Sequence, residues 1–220
     1  MREELLGKTP MYCFQWDYID SNMYVMAEEN WGLVIDPIYT EEVRTFLEKQ
    51  KFQKIWIFLT HEHFDHINGL NWFREQFPCI AYGNETCAGN IQSASKNFSD
   101  KSEIFTMFHP EIKRRNITIT PFHCCVDGIV RGGESMDWQG HTLDFMDTPG
   151  HTEGSMCIVF DKKYMFTGDT LLLIPTITRL PGGSKKKFEE VTIPLLRSMQ
   201  TKIAKVYPGH GNFGKLEEML

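Results

Sequence analysis

Short apolar runs alternate with polar turn residues over the first 36 positions of the chain. Segments 11–18, 22–27 and 31–36 are rich in aromatic and aliphatic side chains, and polar residues separate them around positions 20–22 and 28–30. Because polar turn clusters of this kind bound β-strands, the pattern predicts three consecutive strands at the start of the chain.

The next segment has a helical spacing of apolar positions. Between Thr40 and Gln50, Val43, Phe46 and Leu47 fall on one face, and Thr40 is placed to cap the first turn. Further along, apolar runs and their spacing predict strands over 54–60 and 79–82 and helices over 67–76 and 84–93.

From Glu134 the chain has the pattern of a β-meander. Strands are predicted over 135–138, 141–147, 155–160, 164–167 and 203–207. A helix is predicted from a cap at Ser184 to about residue 201, and Pro194 within it predicts a kink or a break.

Residues 94–125 are rich in aromatic side chains but have no clear period. Two interpretations stay open: an insertion that covers the core, or a lid over an active site, which we favour slightly.

Strand-rich and helical segments recur twice in the same order. Two packed sheets with helices outside them, a four-layer αββα sandwich of the α/β class, would accommodate this order. No stretch of low complexity or linker composition interrupts the chain, so we predict a single domain over residues 1–220.

Composition narrows the classes of partner. Hydrophobic residues make up 41% of the 220 residues. The formal net charge of −6 argues against a nucleic-acid partner. No apolar stretch approaches the roughly 20 residues of a membrane-spanning helix, and the N-terminus lacks the apolar core of a signal peptide. The six cysteines show no zinc-type CxxC spacing. We therefore expect a cytoplasmic protein with a small-molecule substrate, no nucleic-acid or membrane partner, and an oligomeric state that the sequence leaves open.

Four metal-binding side chains occur within six residues after the strand predicted over 54–60. His61 and His63 are separated by one residue, so in an extended segment they point the same way and can bind one ion. Asp65 and His66 follow where the chain turns into a helix, and they therefore suit a second ion nearby. Helix capping would explain Asp65, but it would not explain three imidazoles.

Three later loops add a potential ligand each. Each loop follows a predicted strand and contains a glycine, which lets the backbone approach closely. His151 lies in Thr-Pro-Gly-His-Thr, Asp169 in Thr-Gly-Asp-Thr and His210 in Pro-Gly-His-Gly.

These four motifs together, from about residue 34 to residue 211, resemble those of the metallo-β-lactamase superfamily and its glyoxalase II-like branch. The resemblance implies the metallo-β-lactamase-like fold, with two mixed β-sheets flanked by helices. It also implies a first metal bound by His61, His63 and His151, a second bound by Asp65, His66 and His210, and Asp169 bridging the two.

The resemblance further implies two divalent metal ions that activate a hydroxide for attack on a carbonyl or a phosphorus. Zinc is expected, with iron or manganese as alternatives, because no thiolate selects among them. Asp65 and Asp169 are the candidate catalytic residues, and Asp65 would orient the nucleophile as well as bind metal. Asp36, Thr60 and Thr152 either fix the ligands or simply cap strand ends, and both interpretations stay open.

Thioester hydrolysis is the first expectation, as in hydroxyacylglutathione hydrolases or acyl thioesterases. Glutathione-specific members usually carry a helical C-terminal domain, and only ten residues follow His210, so an ester or a lactone is also expected. The alternatives are a phosphodiesterase or nuclease of the same fold, or an enzyme like the mononuclear-iron persulfide dioxygenases. Arg179, on the loop after Asp169, either binds a substrate anion or is an ordinary surface arginine.

Overall fold

The computed structural model describes residues 1–103 and 118–220. Within these residues, the first sheet contains seven strands in the order of the sequence: β1 (Arg2–Leu6), β2 (Thr9–Gln15), β3 (Asn22–Glu28), β4 (Trp31–Ile35), β5 (Lys54–Phe58), β6 (Cys79–Gly83) and β7 (Gly128–Ile129). Strands β1 to β4 are antiparallel, and β4 to β7 are parallel, so the sheet is mixed.

The second sheet has the strand order β12-β11-β10-β9-β8 over the described part of the chain. Its strands are β8 (Ser135–Trp138), β9 (His141–Asp147), β10 (Met156–Phe160), β11 (Tyr164–Gly168) and β12 (Lys205–Pro208). Only β11 and β12 pair in parallel among these described strands, and the other pairs are antiparallel.

Helices lie on the outer faces of both sheets. The described helices are α1 (Glu41–Gln50), α2 (Phe64–Ile67), α3 (Leu70–Gln76), α4 (Glu85–Asn90), α5 (Lys185–Lys187), α6 (Ile193–Met199) and α7 (Leu216–Met219). A 3-10 turn at Ser99–Lys101 and a π-helical segment at Phe188–Thr192 complete the helical structure of this part of the chain.

Buried apolar side chains form three clusters that define four layers. Phe58 of the first sheet and Phe145 of the second belong to the cluster between the sheets. Val43 of α1 packs in a cluster on the outer face of the first sheet, and Leu196 of α6 packs in one on the outer face of the second. The predicted αββα sandwich is therefore confirmed.

Helix α1 begins as its local sequence predicts. Thr40 has an extended backbone, and its side-chain oxygen accepts a hydrogen bond from the backbone N–H of Val43 at 3.1 Å. This bond satisfies one of the amides that have no partner within the first helical turn.

The helix predicted over 67–76 is instead two helices, α2 and α3, with a break at Asn68 and Gly69. The Asn68 side chain accepts a hydrogen bond from the backbone of Tyr39 at 3.0 Å, and the Gly69 amide donates to the Pro37 carbonyl at 3.0 Å. These contacts with the loop after β4 replace continued helical hydrogen bonding.

The helix predicted from Ser184 is also interrupted. Ser184 caps α5 by accepting a hydrogen bond from the Lys187 amide at 3.2 Å, but the π-helical segment separates α5 from α6. Pro194 lies in the first turn of α6. Proline has no backbone N–H, and residues in the first turn of a helix need none for the helical hydrogen bonds. The break therefore falls just before Pro194.

The predicted lid falls partly outside the described residues, because 104–117 are not among them. The described residues on either side are joined to each other: Asn97 and Ser99 donate side-chain hydrogen bonds to the Phe122 carbonyl at 2.9 and 3.1 Å. The lid remains a prediction. Among the described helices, none combines the length and apolar content needed to cross a bilayer.

Candidate metal centre

Four loops at the ends of strands bring the seven predicted side chains together. The loop after β5 carries His61 and His63 and leads into α2. The loops after β9, β11 and β12 carry His151, Asp169 and His210. Strands of both sheets therefore contribute to one site.

His61, His63 and His151 form a first group of three buried rings whose candidate ligand atoms all lie within 4.8 Å of one another. Nε2 of His151 lies 3.0 Å from Nδ1 of His63. The ring centroids of His61 are 4.7 Å from those of His63 and 5.0 Å from those of His151.

Asp65, His66 and His210 form a second group. Oδ2 of Asp65 lies 3.1 Å from Nε2 of His66 and 3.2 Å from Nε2 of His210. The two imidazole nitrogens are 3.3 Å apart. The second set that the sequence predicts is thus assembled in space.

Asp169 faces both groups. Its Oδ2 atom lies 3.6 Å from Nε2 of His151 in the first group and 3.5 Å from Nε2 of His210 in the second. Its Oδ1 atom is 3.5 Å from Nε2 of His66. Asp169 therefore lies between the two groups, where the sequence motifs predict a carboxylate shared by both.

Asp36 connects the two groups through its contacts with Thr60 and His66. Its Oδ2 atom accepts a hydrogen bond from the Thr60 hydroxyl at 2.6 Å and lies 3.1 Å from Nδ1 of His66. Its Oδ1 atom accepts the Thr60 amide at 2.7 Å, and the Thr60 hydroxyl lies 3.0 Å from Nδ1 of His61. Of the two interpretations of Asp36 and Thr60, the structure supports the one in which they orient ligand rings.

Backbone carbonyls hold two further rings. Nδ1 of His151 donates to the Ile177 carbonyl at 2.8 Å, and Nδ1 of His210 donates to the Ile19 carbonyl at 3.1 Å. A carbonyl only accepts hydrogen bonds, so these Nδ1 atoms carry a proton and the Nε2 atoms face the centre, where they can bind a cation once any proton there has left.

Glu62 is a buried residue that the sequence analysis did not single out as functional. Only 2% of its surface is exposed, and its carboxylate accepts hydrogen bonds from Thr152 and Asn90, each at 2.9 Å. Thr152 follows His151, so this contact joins the loop after β5 to the loop after β9. The position of Glu62 between His61 and His63 was the available signal.

Close approach of the loops leaves no room for side chains at two positions. A Cβ atom at Gly209 would lie 2.3 Å from Oδ1 of Asp169, and one at Gly168 would lie 2.2 Å from Oγ1 of Thr60. The glycines in these motifs are therefore required by packing around the centre.

The donor set fits divalent cations. Nε2 of His61 and Oδ1 of Asp169 are buried, and neither has a hydrogen-bond partner among the described residues. Ligands about 2.0–2.2 Å from a tetrahedral ion lie about 3.3–3.6 Å apart, close to the separations of 3.0 to 3.6 Å between donor atoms given above. Imidazoles with inward lone pairs and carboxylates are the ligands of zinc and related metals.

The pKa values of the histidines differ between the two groups. Burial, together with neighbouring His66 and His63, lowers the pKa of His61, and burial together with His151 lowers the pKa of His63 to about 3. Burial alone would also lower the pKa of His210, but Asp169 and Asp65 outweigh it and raise that pKa to about 10. Without metal, His61 and His63 are therefore neutral at pH 7, and the second group is ion-paired.

Arg179 is exposed and lies on the loop that also contains Ile177. It makes no hydrogen bond or ion pair with another described residue. The structure places this side chain two residues from the carbonyl that orients His151, and a role in substrate binding remains a prediction.

Comparison with known proteins agrees with this geometry. Residues 16–210 match the family model of the metallo-beta-lactamase superfamily. A hydroxyacylglutathione hydrolase of Klebsiella pneumoniae is 27% identical over 171 residues, which cover 77% of this chain and 51% of that protein. The chain therefore spans about half the length of this relative.

Solved structures share the fold. The BLEG-1 B3 metallo-beta-lactamase superposes with a TM-score of 0.75 at 24% identity, covering 94% of this chain and 95% of that one. TTHA1623 in a di-iron-bound form superposes with a TM-score of 0.70 at 20% identity, covering 94% and 96%. With the family model matching most of its length, the chain belongs to the metallo-beta-lactamase superfamily, as its four motifs predict.

Proposed function

We propose that this protein is a hydrolase that uses two divalent cations to cleave a thioester or a related ester or lactone. The observation that carries the proposal is the convergence of five imidazoles and two carboxylates from four loops on one buried centre. We assign His61, His63 and His151 to the first cation, Asp65, His66 and His210 to the second, and Asp169 to both.

Two divalent cations would supply polarisation of the substrate carbonyl and a water whose pKa is lowered towards neutrality. The protein supplies position and charge. We assign Asp65 a second role, as the carboxylate that accepts a hydrogen bond from the attacking water and orients it. Asp36 and the carbonyls of Ile19 and Ile177 keep the ring lone pairs aimed inward.

Zinc is the proposed metal, and iron or manganese are alternatives. The described ligand groups contain imidazoles and carboxylates but no thiolate, so they do not favour zinc strongly over iron. The di-iron-bound form of a protein with the same fold supports iron as an alternative.

Two features support an ester-type substrate. The matched relative is a hydroxyacylglutathione hydrolase, the kind of enzyme whose resemblance implies thioester hydrolysis here. The loop after Asp169 also exposes apolar side chains, with Leu173 51%, Ile174 63% and Ile177 42% exposed. We propose that this loop contacts an acyl or aryl group and that Arg179 binds an anionic group of the same small molecule.

The test combines metal analysis with a substrate panel. The purified protein should contain two metal ions per chain and should lose hydrolysis on chelation and regain it with zinc, iron or manganese. The panel should contain thioesters, p-nitrophenyl esters, lactones and bis-p-nitrophenyl phosphate, with oxygen uptake measured in the presence of a persulfide. Turnover of the phosphodiester alone, or oxygen uptake with one iron per chain, would overturn the proposed reaction.

A further inference from the structure

The turn between β2 and β3 contacts both ends of the second ligand group. Its Ile19 carbonyl accepts from Nδ1 of His210 at 3.1 Å. Its Ser21 hydroxyl donates to the backbone carbonyl of Asp65 at 2.9 Å, and Ser21 forms an isolated antiparallel bridge with His210. A single short segment thus sets the distance between two ligands that are far apart in sequence.

Asn22, the first residue of β3, holds the loop of His210 from both sides. Its side-chain amide donates to the carbonyls of Pro208 at 3.0 Å and Gly211 at 3.1 Å, and its backbone amide donates to the Gly209 carbonyl at 2.6 Å. Its side-chain carbonyl accepts from Arg2 at 3.0 Å. The fully buried carboxamide therefore uses both N–H groups and its oxygen to fix one loop.

The first ligand group does not share these contacts. Thr60 lies against His61, the Ile177 carbonyl orients His151, and the Glu62–Thr152 hydrogen bond joins their loops. None of these contacts involves the turn between β2 and β3. Asp36 reaches both groups, but the turn between β2 and β3 contacts only the second.

We propose that Asn22 is a positioning residue that controls occupancy of the second cation site without controlling the first. The inference rests on the proposed pair of cation sites. It follows because His210 is the one ligand outside the segment Asp65–His66 that belongs to the second site alone, and its loop is held by the Asn22 carboxamide. Without His210, that site would keep only Asp65, His66 and the shared Asp169.

The decisive variant is Asn22→Asp. A carboxylate has nearly the same shape but no N–H groups, so its oxygen would face the Pro208 and Gly211 carbonyls and could not hold them. The metal-free protein would be titrated with zinc against a chromophoric chelator, to obtain separate affinities for the first and second equivalents. We expect the second equivalent to bind about 10- to 100-fold more weakly and the first to change less than about twofold.

Asn212→Asp is the matched control. Asn212 lies next to the same loop but is exposed, and it only accepts a 3.4 Å hydrogen bond from Arg2. The same substitution there should leave both affinities unchanged. Thermal unfolding of each metal-free variant shows whether the fold is retained, and long-range ¹H–¹⁵N spectra identify the histidine rings that respond to the second equivalent.

The outcomes separate the two proposals. A wild-type protein that binds fewer than two zinc ions would overturn the pair of sites and this inference with it. Suppose that wild type binds two zinc ions. If Asn22→Asp then binds both as tightly, or keeps its fold but loses affinity for both equally, only the role of Asn22 is wrong. If Asn22→Asp does not fold, Ser21→Ala decides: a loss confined to the second equivalent supports the role of this turn, and unchanged affinity overturns it.

Discussion

Replacing Asp36 with asparagine exchanges one oxygen of a buried carboxylate for an NH₂ group, and we expect it to weaken metal binding more than folding. Asp36 is 2% exposed and receives three hydrogen bonds. Two come from the amide and the hydroxyl of Thr60, and the third comes from Nδ1 of His66.

The asparagine has two ways to fit this site. With its oxygen in place of Oδ1, it keeps the Thr60 amide bond, and the Thr60 hydroxyl can rotate to accept from the new NH₂ group. The NH₂ group then faces Nδ1 of His66, and it can donate there only if that nitrogen gives up its proton. The proton would move to Nε2, which is the atom that faces Asp65 and His210.

The opposite orientation keeps the bond from His66 but places the NH₂ group against the Thr60 amide. The first orientation therefore requires the His66 tautomer that cannot bind metal, or leaves two N–H groups facing each other. The second orientation leaves the NH₂ group facing the Thr60 amide. An unsatisfied buried donor costs about 1–3 kcal/mol. Because about 1.4 kcal/mol is a factor of ten, the second equivalent of metal should bind about 10- to 100-fold more weakly.

The assay is a zinc titration of metal-free protein against a chromophoric chelator, with the His66 tautomer read from long-range ¹H–¹⁵N spectra. Asp161→Asn is the matched control, since Asp161 accepts from Nδ1 of His141 at 2.8 Å and from the Thr142 amide at 3.1 Å, away from the metal centre. That variant should bind metal as wild type does.

Two results would contradict the role assigned to Asp36. One is an asparagine variant that binds both equivalents with wild-type affinity. The other is a variant whose free energy of unfolding, measured without metal, falls by as much as its free energy of metal binding. In the second case, Asp36 would act through general stability and not through the ring that it orients.

Three further outcomes are expected. Asp169→Ala should weaken both metal equivalents and reduce hydrolysis to near background, because Asp169 faces both groups; full activity would refute its assignment. The affinity for the second equivalent of metal should increase between pH 7 and 9, by up to about tenfold per pH unit for each proton displaced. The reason is that Asp169 and Asp65 outweigh burial and raise the pKa of His210 to about 10. Calorimetry that detects no proton release on binding would contradict this. Arg179→Ala should raise KM about fivefold for anionic substrates and leave it unchanged for neutral esters, since an exposed ionic contact contributes about 1 kcal/mol; equal KM values for both would make Arg179 an ordinary surface residue.

Local features of the fold followed from the sequence where their causes are local. The Thr40 cap depends on residues three positions apart, and the structure shows it. Strand β1 was missed because Arg2, Glu3 and Glu4 give it a polar sequence, and its pairing with β2 defines it. The break between α2 and α3 was missed because it depends on contacts with the loop after β4.

The candidate site shows the same division. The types of donor and their order along the chain were readable, since each lies in a short motif after a predicted strand. Asn22 could not be identified, because nothing in the neighbouring sequence shows that its side chain is buried, and for Glu62 the only signal is its position between two motif histidines. The carbonyls of Ile19 and Ile177 could not be identified either, since every residue has such a group.

The αββα fold class, the superfamily and the set of imidazoles and carboxylates available to bind metal could all be read from the sequence. Tertiary structure alone decided how those groups meet, because the decisive contacts join distant residues: His63 and His151 are 88 positions apart, and Ile19 and His210 are 191 apart. Side-chain chemistry is a property of each residue and can be read from the sequence. The direction in which a histidine Nε2 atom points depends on the hydrogen bond that the Nδ1 atom of the same ring makes. The packing of the two sheets brings the histidine and its hydrogen-bond acceptor together.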